Sequence, residues 1–136
     1  MATATDAFFY GLFMDETVLT SSGVLPHHGR KAKLDGFALK IGNRATLVRE
    51  PGGTAWGMVF TLSQAELDKL YGAPGLEQYQ PEEIEVVLEN RAIIPVRVYN
   101  LPHAPAPHER NPDYVERLKK VLTRLGFPAA YIARIG

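Results

Sequence analysis

Close to the N-terminus, residues 8–14 have the sequence FFYGLFM, an apolar run interrupted by one glycine. Bulky aromatic and aliphatic residues in a short run are typical of a buried strand. Gly11 within the run indicates a bulge, or a place where another backbone or a ligand comes close. A strand that bends at a glycine can turn amide N–H groups outward, where they can bind a small anion. The alternative is a first core strand with an incidental glycine.

The remaining residue types that often do chemistry show weaker patterns. The four histidines, at positions 27, 28, 103 and 108, lie in predicted loops and lack the H-E-x-x-H spacing of a metal site. They are interpreted as solvated loop residues, and no metal site is predicted. The chain has no cysteine, which excludes disulfides, thiolate nucleophiles and zinc–thiolate sites.

The overall composition is that of an ordinary globular protein. The 136 residues fit one domain, predicted to span residues 1–136, and 46% of them are hydrophobic while 22% are charged. Basic and acidic residues number 15 each, so nothing electrostatic favours nucleic acid or an anionic membrane as a partner. No stretch approaches the roughly 20 apolar residues of a membrane span, and the N-terminus lacks the features of a signal peptide. A cytoplasmic location is expected.

The strand patterns are short and closely spaced. Strands are predicted over residues 7–13, over 31–41 with a bulge at Gly36, and over 45–48 and 55–62 with a Pro-Gly-Gly turn between them. A hairpin is predicted over 83–88 and 93–99, and residues 23–29 and 100–110 are predicted as loops. About six strands joined by short turns favour antiparallel pairing in a small barrel.

Three helices are predicted around that barrel. Residues 15–22 have the pattern of a helical turn. Ser63 and Glu66 form a capping-box pattern that predicts a short helix to about Tyr71. Asn111 followed by Pro112 is a typical helix start, and apolar residues then recur at helical spacing until Gly126. The predicted fold class is therefore α+β, a small, mainly antiparallel β-barrel with flanking helices.

Several local motifs, taken in order, resemble the gamma-glutamylcyclotransferase-like (AIG2-like) family. The sequence FYGLFM at residues 9–14 resembles the "YG-x-x-M/L" signature that opens the family, and AWGMVF at 55–60 resembles its "v-x-G-x-v/l-y/w" strand. LDKLYG at 67–72 resembles the "LDxxEG" that follows. NPDY at 111–114 and GFP at 126–128 resemble its C-terminal pattern. The resemblance covers nearly the whole chain and implies a small mixed barrel with a pocket at one mouth.

The resemblance also implies a chemistry. Characterised members cyclise a gamma-glutamyl group to 5-oxoproline and release the attached amine, and they need no cofactor because the substrate's own alpha-amine is the nucleophile. Backbone amides must hold the glutamyl carboxylate, and a carboxylate must move protons between the ammonium and the leaving group. The family's amides belong to the YG-x-x-M loop, which carries over to Tyr10, Gly11, Leu12, Phe13 and Met14 as predicted substrate-binding residues.

The acid/base residue does not carry over. The family places it at the Glu of "EG", and Tyr71 stands there in this chain. An ordinary phenol has a pKa of about 10 and is a poor base at neutral pH, although it can donate a hydrogen bond. Another carboxylate, with Glu77 and Glu82 foremost and Glu83 and Glu85 near them, is a candidate replacement. Tyr71 could also serve different chemistry or simply pack.

Two functions therefore follow from the sequence. One is an enzyme that acts on a small gamma-glutamyl or related amide, with Tyr71, Glu77 and Glu82 as candidate catalytic residues. The other is a catalytically degenerate domain that binds a small carboxylate metabolite. A carboxylate near the amides of the 10–14 loop would favour the enzyme, and a pocket walled by Tyr71 and apolar groups would favour the binding domain. The oligomeric state is left open.

Overall fold

The computed structural model describes residues 4–135. Five strands form a closed barrel in the order β1-β3-β2-β4-β5, in which β1 pairs with β5 in parallel and every other pairing is antiparallel. The strands are β1 Ala4–Phe9, β2 His27–Ile41, β3 Ala45–Ser63, β4 Gln80–Leu88 and β5 Ile93–Asn100. The helices are α1 Glu16–Ser21, α2 Gln64–Tyr71, α3 Pro112–Leu125 and α4 Ala129–Ala133. The predicted α+β class, a mixed and mainly antiparallel barrel with flanking helices, is confirmed.

Alternation along the strands divides the core into two parts. On β1, Phe8 faces a cluster with members from all five strands, whereas Ala7 and Phe9 face a second cluster that includes helix residues. This division follows from the period of two in a strand, because successive side chains point to opposite faces. The barrel therefore has a filled interior and an outer layer of helices packed on it.

Local sequence signals confirm several helix ends. Ser63 and Glu66 form the full capping box at the start of α2, and Asn111 accepts a hydrogen bond from the Tyr114 amide at the start of α3. Gly126 ends α3 in the left-handed conformation, with φ of 81°. Leu118 and Leu122 on α3 are fully buried, as the helical spacing predicts.

Three strand predictions are corrected. The first strand ends at Phe9 rather than at residue 13, because Leu12–Met14 form a 3-10 turn in which the Met14 amide donates to the Gly11 carbonyl. Residues 27–29 begin β2 rather than ending a loop, and His27 pairs with Thr61. The predicted strands 45–48 and 55–62 are one strand, so the barrel has five strands and not six.

The long strand β3 bends at the position where a turn was predicted. Its register against β2 shifts between Asp35 and Phe37, so that Gly36 faces residues 50–53 across a wide bulge. Gly36 and Gly52 both have positive φ, 85° and 80°, which glycine adopts without steric cost. Because β2 continues beside β3 on both sides of the bulge, the Pro-Gly-Gly segment bends the strand and does not end it.

Within residues 4–135, no helix is long and apolar enough to cross a membrane.

Candidate functional site

A cavity of about 300 Å³ lies where β1 leaves the barrel. Its wall combines the loop after β1, the turn between β2 and β3, the end of α2 with the segment that follows, and one residue each from α1 and α3. The wall residues are Phe9, Tyr10, Gly11, Leu12, Phe13, Val18, Asn43, Arg44, Ala45, Tyr71, Leu76, Tyr79 and Tyr114. The volume matches that of small-molecule sites, which begin near 300 Å³.

The loop of residues 10–13 forms one side of the cavity. The Leu12 amide donates to the Tyr114 hydroxyl oxygen at 3.1 Å, across a sequence separation of 102 residues. The amides of Gly11 and Phe13 donate to no acceptor among the described residues. A Cβ atom at position 11 would clash with the Tyr114 hydroxyl oxygen, so glycine there allows the close approach predicted from sequence. The loop therefore offers two free N–H groups at the cavity.

Tyr71, at the last turn of α2, lies on the cavity wall in contact with three other aromatic rings. Its ring stacks on Tyr99 with a centroid distance of 3.9 Å and an interplanar angle of 12°. It meets Phe13 edge-on at 6.0 Å and Tyr79 at 5.8 Å. The Tyr71 hydroxyl makes no hydrogen bond with any residue between 4 and 135. It is therefore a polar group left available to a ligand.

Burial sets the protonation state of Tyr71. It raises the pKa of this phenol well above its ordinary value of 10.0, and the phenols of Tyr79, Tyr99 and Tyr114 raise the pKa further because a second negative charge nearby is unfavourable. At neutral pH the Tyr71 side chain is thus a neutral hydrogen-bonding group and not a base.

The other phenols of the wall are engaged in holding the scaffold. The Tyr10 hydroxyl donates to the Tyr99 carbonyl at 2.8 Å, and the Tyr79 hydroxyl donates to the Ala45 carbonyl. Burial raises the pKa of Tyr10, Tyr79 and Tyr114 as well. The first bond ties the loop to β5 and the second ties the segment after α2 to β3, which gives the cavity a defined shape.

No carboxylate belongs to the cavity wall in the described part of the chain, and Arg44 is its one charged side chain. Glu77 is exposed, and its Oε2 accepts from the Gly75 amide at 2.9 Å. Glu82 lies on β4 and pairs with Arg49. The structure thus brings Tyr71 to the loop and leaves Glu77 and Glu82 outside the wall.

The five predicted substrate-binding residues are likewise divided. Tyr10, Gly11, Leu12 and Phe13 line the cavity, whereas Met14 is buried in the cluster between barrel and helices. Met14, the last residue of the 3-10 turn, is buried and is not part of the cavity wall.

Arg44, Tyr79 and Tyr114 were missed as cavity residues. Tyr114 lies within the helix that the sequence predicts after Asn111, but no local signal connects it with a loop about 100 positions earlier. For Arg44 a signal existed: the preceding Gly42-Asn43 is a typical turn pair between two strands. That pair marks residues 42–44 as the tip of a hairpin, but it does not show that the tip lies beside the cavity.

Fold, cavity and sequence agree on a family. Residues 7–117 match the family described as gamma-glutamyl cyclotransferase, AIG2-like. The chain therefore belongs to this family, as the motifs suggested.

Solved structures show the same fold at low sequence identity. A protein described as gamma-glutamyl cyclotransferase is 21% identical, with a TM-score of 0.79 over 98% of this chain and 89% of that one. An uncharacterized protein from Homo sapiens is 21% identical, with a TM-score of 0.76 over 98% and 88% of the two chains. YkqA from Bacillus subtilis is 19% identical, with a TM-score of 0.78 over 97% of this chain and 52% of that one. No curated protein matches the chain in sequence.

Proposed function

We propose that the chain binds a small gamma-glutamyl compound, or a related amide or carboxylate metabolite, in the cavity beside residues 10–13, without the family's ordinary cyclisation. The observation that carries this proposal is that no carboxylate of the described residues lies on the cavity wall. Membership of the family supports a small-molecule ligand at this barrel mouth.

The absence of a carboxylate matters because cyclisation requires two proton transfers. The substrate's ammonium must lose a proton before its nitrogen attacks the gamma-carbonyl, and the leaving amine must gain one. A phenol with the ordinary pKa of about 10 is ionised in roughly one molecule in a thousand at pH 7. Burial and neighbouring phenols make the ionised form of Tyr71 rarer still. Tyr71 therefore retains hydrogen bonding and loses general-base capacity.

Several groups of the cavity wall, by contrast, support ligand binding. The free amides of Gly11 and Phe13 can donate to a carboxylate or carbonyl oxygen, and the unpaired Tyr71 hydroxyl can donate or accept. The ring wall supplies apolar contact around these polar groups, which is the usual composition of a small-molecule site.

A second candidate, a slow cyclotransferase, rests on the position of Glu77. It follows the wall residue Leu76 directly, is exposed, and is held by one hydrogen bond, from the Gly75 amide. Rotation of this side chain toward the cavity would supply the missing carboxylate. Turnover that disappears in Glu77→Gln would select this candidate.

The test uses a panel of gamma-glutamyl dipeptides and amides. Binding is measured by isothermal titration calorimetry, and 5-oxoproline is measured by mass spectrometry after prolonged incubation. We expect saturable binding of at least one compound with no enzyme-dependent 5-oxoproline. Leu76→Trp, which fills the cavity, should abolish binding, while Leu25→Trp, at a side chain that is 66% exposed and not on the wall, should bind normally.

Two results would contradict the proposal. One is the absence of binding for every member of the panel. The other is 5-oxoproline formation at ordinary enzyme rates, about 1–10³ per second.

A further inference from the structure

We propose that Arg44 selects the ligands of the cavity: its guanidinium pairs with a carboxylate at the rim, while an apolar or aromatic body of the ligand fills the ring-walled interior. This inference rests on the proposed binding function and adds a charge class and an orientation for the ligand.

The Arg44 guanidinium has no ion-pair partner in the described part of the chain. Arg44 is the charged residue of the wall, and among residues 4–135 its side chain takes part in no ion pair and no hydrogen bond. The acidic neighbour Glu109 is engaged elsewhere, since its two oxygens accept from the Asn43 and Ala106 amides at 3.0 and 2.8 Å. These bonds, together with the nearby Arg44 charge, lower the pKa of Glu109 and keep it ionised. The Arg44 guanidinium is thus free to bind a carboxylate through two parallel hydrogen bonds, the geometry that arginine favours.

The backbone that carries Arg44 is held in place. The Gly42 amide donates to the Arg44 carbonyl at 3.0 Å, which closes the turn between β2 and β3. The Asn111 side chain donates to the Asn43 carbonyl at 3.1 Å. A Cβ atom at Gly42 would clash with Pro105, so the turn packs tightly on the segment before α3. A fixed backbone restricts the guanidinium to the rim and reduces the entropy lost on binding.

The guanidinium reaches across the rim toward the segment after α2. One of its terminal nitrogens lies 3.5 Å from the position that a Cβ atom would occupy at Gly75. It therefore stands between the turn that carries it and the segment that contributes Leu76 and Tyr79 to the wall.

The interior behind Arg44 favours a body with little polarity. Six aromatic and four aliphatic residues of the wall surround this interior, and the Tyr71 hydroxyl is the phenol left unpaired there by the described residues. Ring faces can also attract a cation. A cation, however, would meet the Arg44 charge at the rim and would find no carboxylate on the wall, so an anion is favoured.

Three probes with one body and different charges separate these classes: 3-phenylpropanoate, 3-phenylpropanamide and 3-phenylpropylamine. Affinities are measured by calorimetry and by ligand-observed NMR on the full chain at pH 7 and low salt. We expect the anion to bind best and the cation worst. Arg44→Gln should weaken the anion roughly 10- to 100-fold, the range of a charge-assisted hydrogen bond, and should leave the amide within about 2-fold.

Two further variants distinguish the role of the guanidinium from a general loss of charge. Arg44→Lys keeps the positive charge but lacks the planar guanidinium, and it should give an intermediate affinity for the anion. Arg91→Gln removes an exposed arginine in the turn between β4 and β5, outside the cavity wall, and should change nothing. Superimposable melting curves for all variants show that folding is intact.

The outcomes are separable from those of the proposed function. If the anion keeps its preference in Arg44→Gln, or if the cation binds best, the role of Arg44 is overturned while cavity binding stands. If no member of the gamma-glutamyl panel binds to the unaltered chain, the proposed function fails, and the inference fails with it. If the panel binds and none of the three probes does, the inference fails alone.

Discussion

Replacement of Tyr71 by glutamate introduces the residue type that the sequence resemblance predicts at this position, and its effect on stability can be worked from three ring contacts. Tyr71 pairs with Phe13, Tyr79 and Tyr99 at centroid distances of 6.0, 5.8 and 3.9 Å. An aromatic pair contributes about 0.5–1.5 kcal/mol beyond its buried area. Loss of all three pairs should lower the free energy of unfolding by about 1.5–4.5 kcal/mol. Tyr71→Phe keeps the pairs and loses an unpaired hydroxyl, so it should cost less than about 1 kcal/mol.

The same variant should gain chemistry. A glutamate in this wall would be desolvated, which raises its pKa toward neutrality and suits proton transfer. We expect Tyr71→Glu to create or raise 5-oxoproline formation from a gamma-glutamyl compound, by about 10²–10⁴-fold if general-base catalysis is the missing element. Tyr71→Gln is the matched control. Glutamine has nearly the same shape as glutamate and loses the same ring contacts, but it cannot accept the proton.

Stability is measured by urea denaturation followed by circular dichroism, and activity by mass spectrometry of 5-oxoproline. The reasoning is refuted if Tyr71→Glu is folded and binds the compound yet forms no more product than Tyr71→Gln. It is equally refuted if Tyr71→Glu is as stable as Tyr71→Phe, because the ring contacts would then contribute nothing.

Three further predictions concern the scaffold. Leu118→Ala on α3 should lower the free energy of unfolding by about 2–5 kcal/mol, since the side chain is 0% exposed; a loss below about 0.5 kcal/mol in urea would show that α3 does not pack on the barrel. Partial burial alone would raise the pKa of Asp6, but hydrogen bonds and the Arg30 charge lower it below the ordinary 3.8. The ionised Asp6 therefore contributes about 0.2–1 kcal/mol to the free energy of unfolding at neutral pH, and this contribution is lost as the pH falls through 3.8 and below. Asp6→Asn should cost that amount at pH 7 and nothing near pH 2. An equal cost at both pH values would contradict this prediction. Tyr10 and Tyr71 have raised pKa values, so stability should be full below pH 10 and fall above it, and their phenolate absorbance should appear only with unfolding.

The starts of α2 and α3 were predictable from sequence because their signals are local, whereas α4 was not among the three predicted helices. The Ser63–Glu66 capping box and the Asn111-Pro112 start each lie within four residues, and the structure forms both. The pocket position of Tyr71, by contrast, was an expectation from the resemblance of LDKLYG to the family motif, because a helix cap does not determine which residue faces a cavity.

The strand ends and half of the cavity depend on distant partners, which no local pattern contains. The first strand stops at Phe9, and the next residues turn because the Leu12 amide bonds to Tyr114, 102 positions away. The Pro-Gly-Gly segment bends β3 and does not end it, since β2 pairs with β3 on both sides of the bulge. Arg44 becomes a rim residue only when the barrel closes and brings the turn between β2 and β3 beside α2.

The central claim is that the cavity holds a small carboxylate compound and leaves it intact. One NMR sample of ¹⁵N-labelled protein with a binding gamma-glutamyl compound reports both halves of this claim, because it shows the protein amides and the ligand protons together. The account predicts saturable shifts of the Gly11 and Phe13 amide signals, with the ligand spectrum unchanged over days. Unmoved signals for both amides at saturating ligand, or the steady appearance of 5-oxoproline resonances at enzymatic rates, would contradict it.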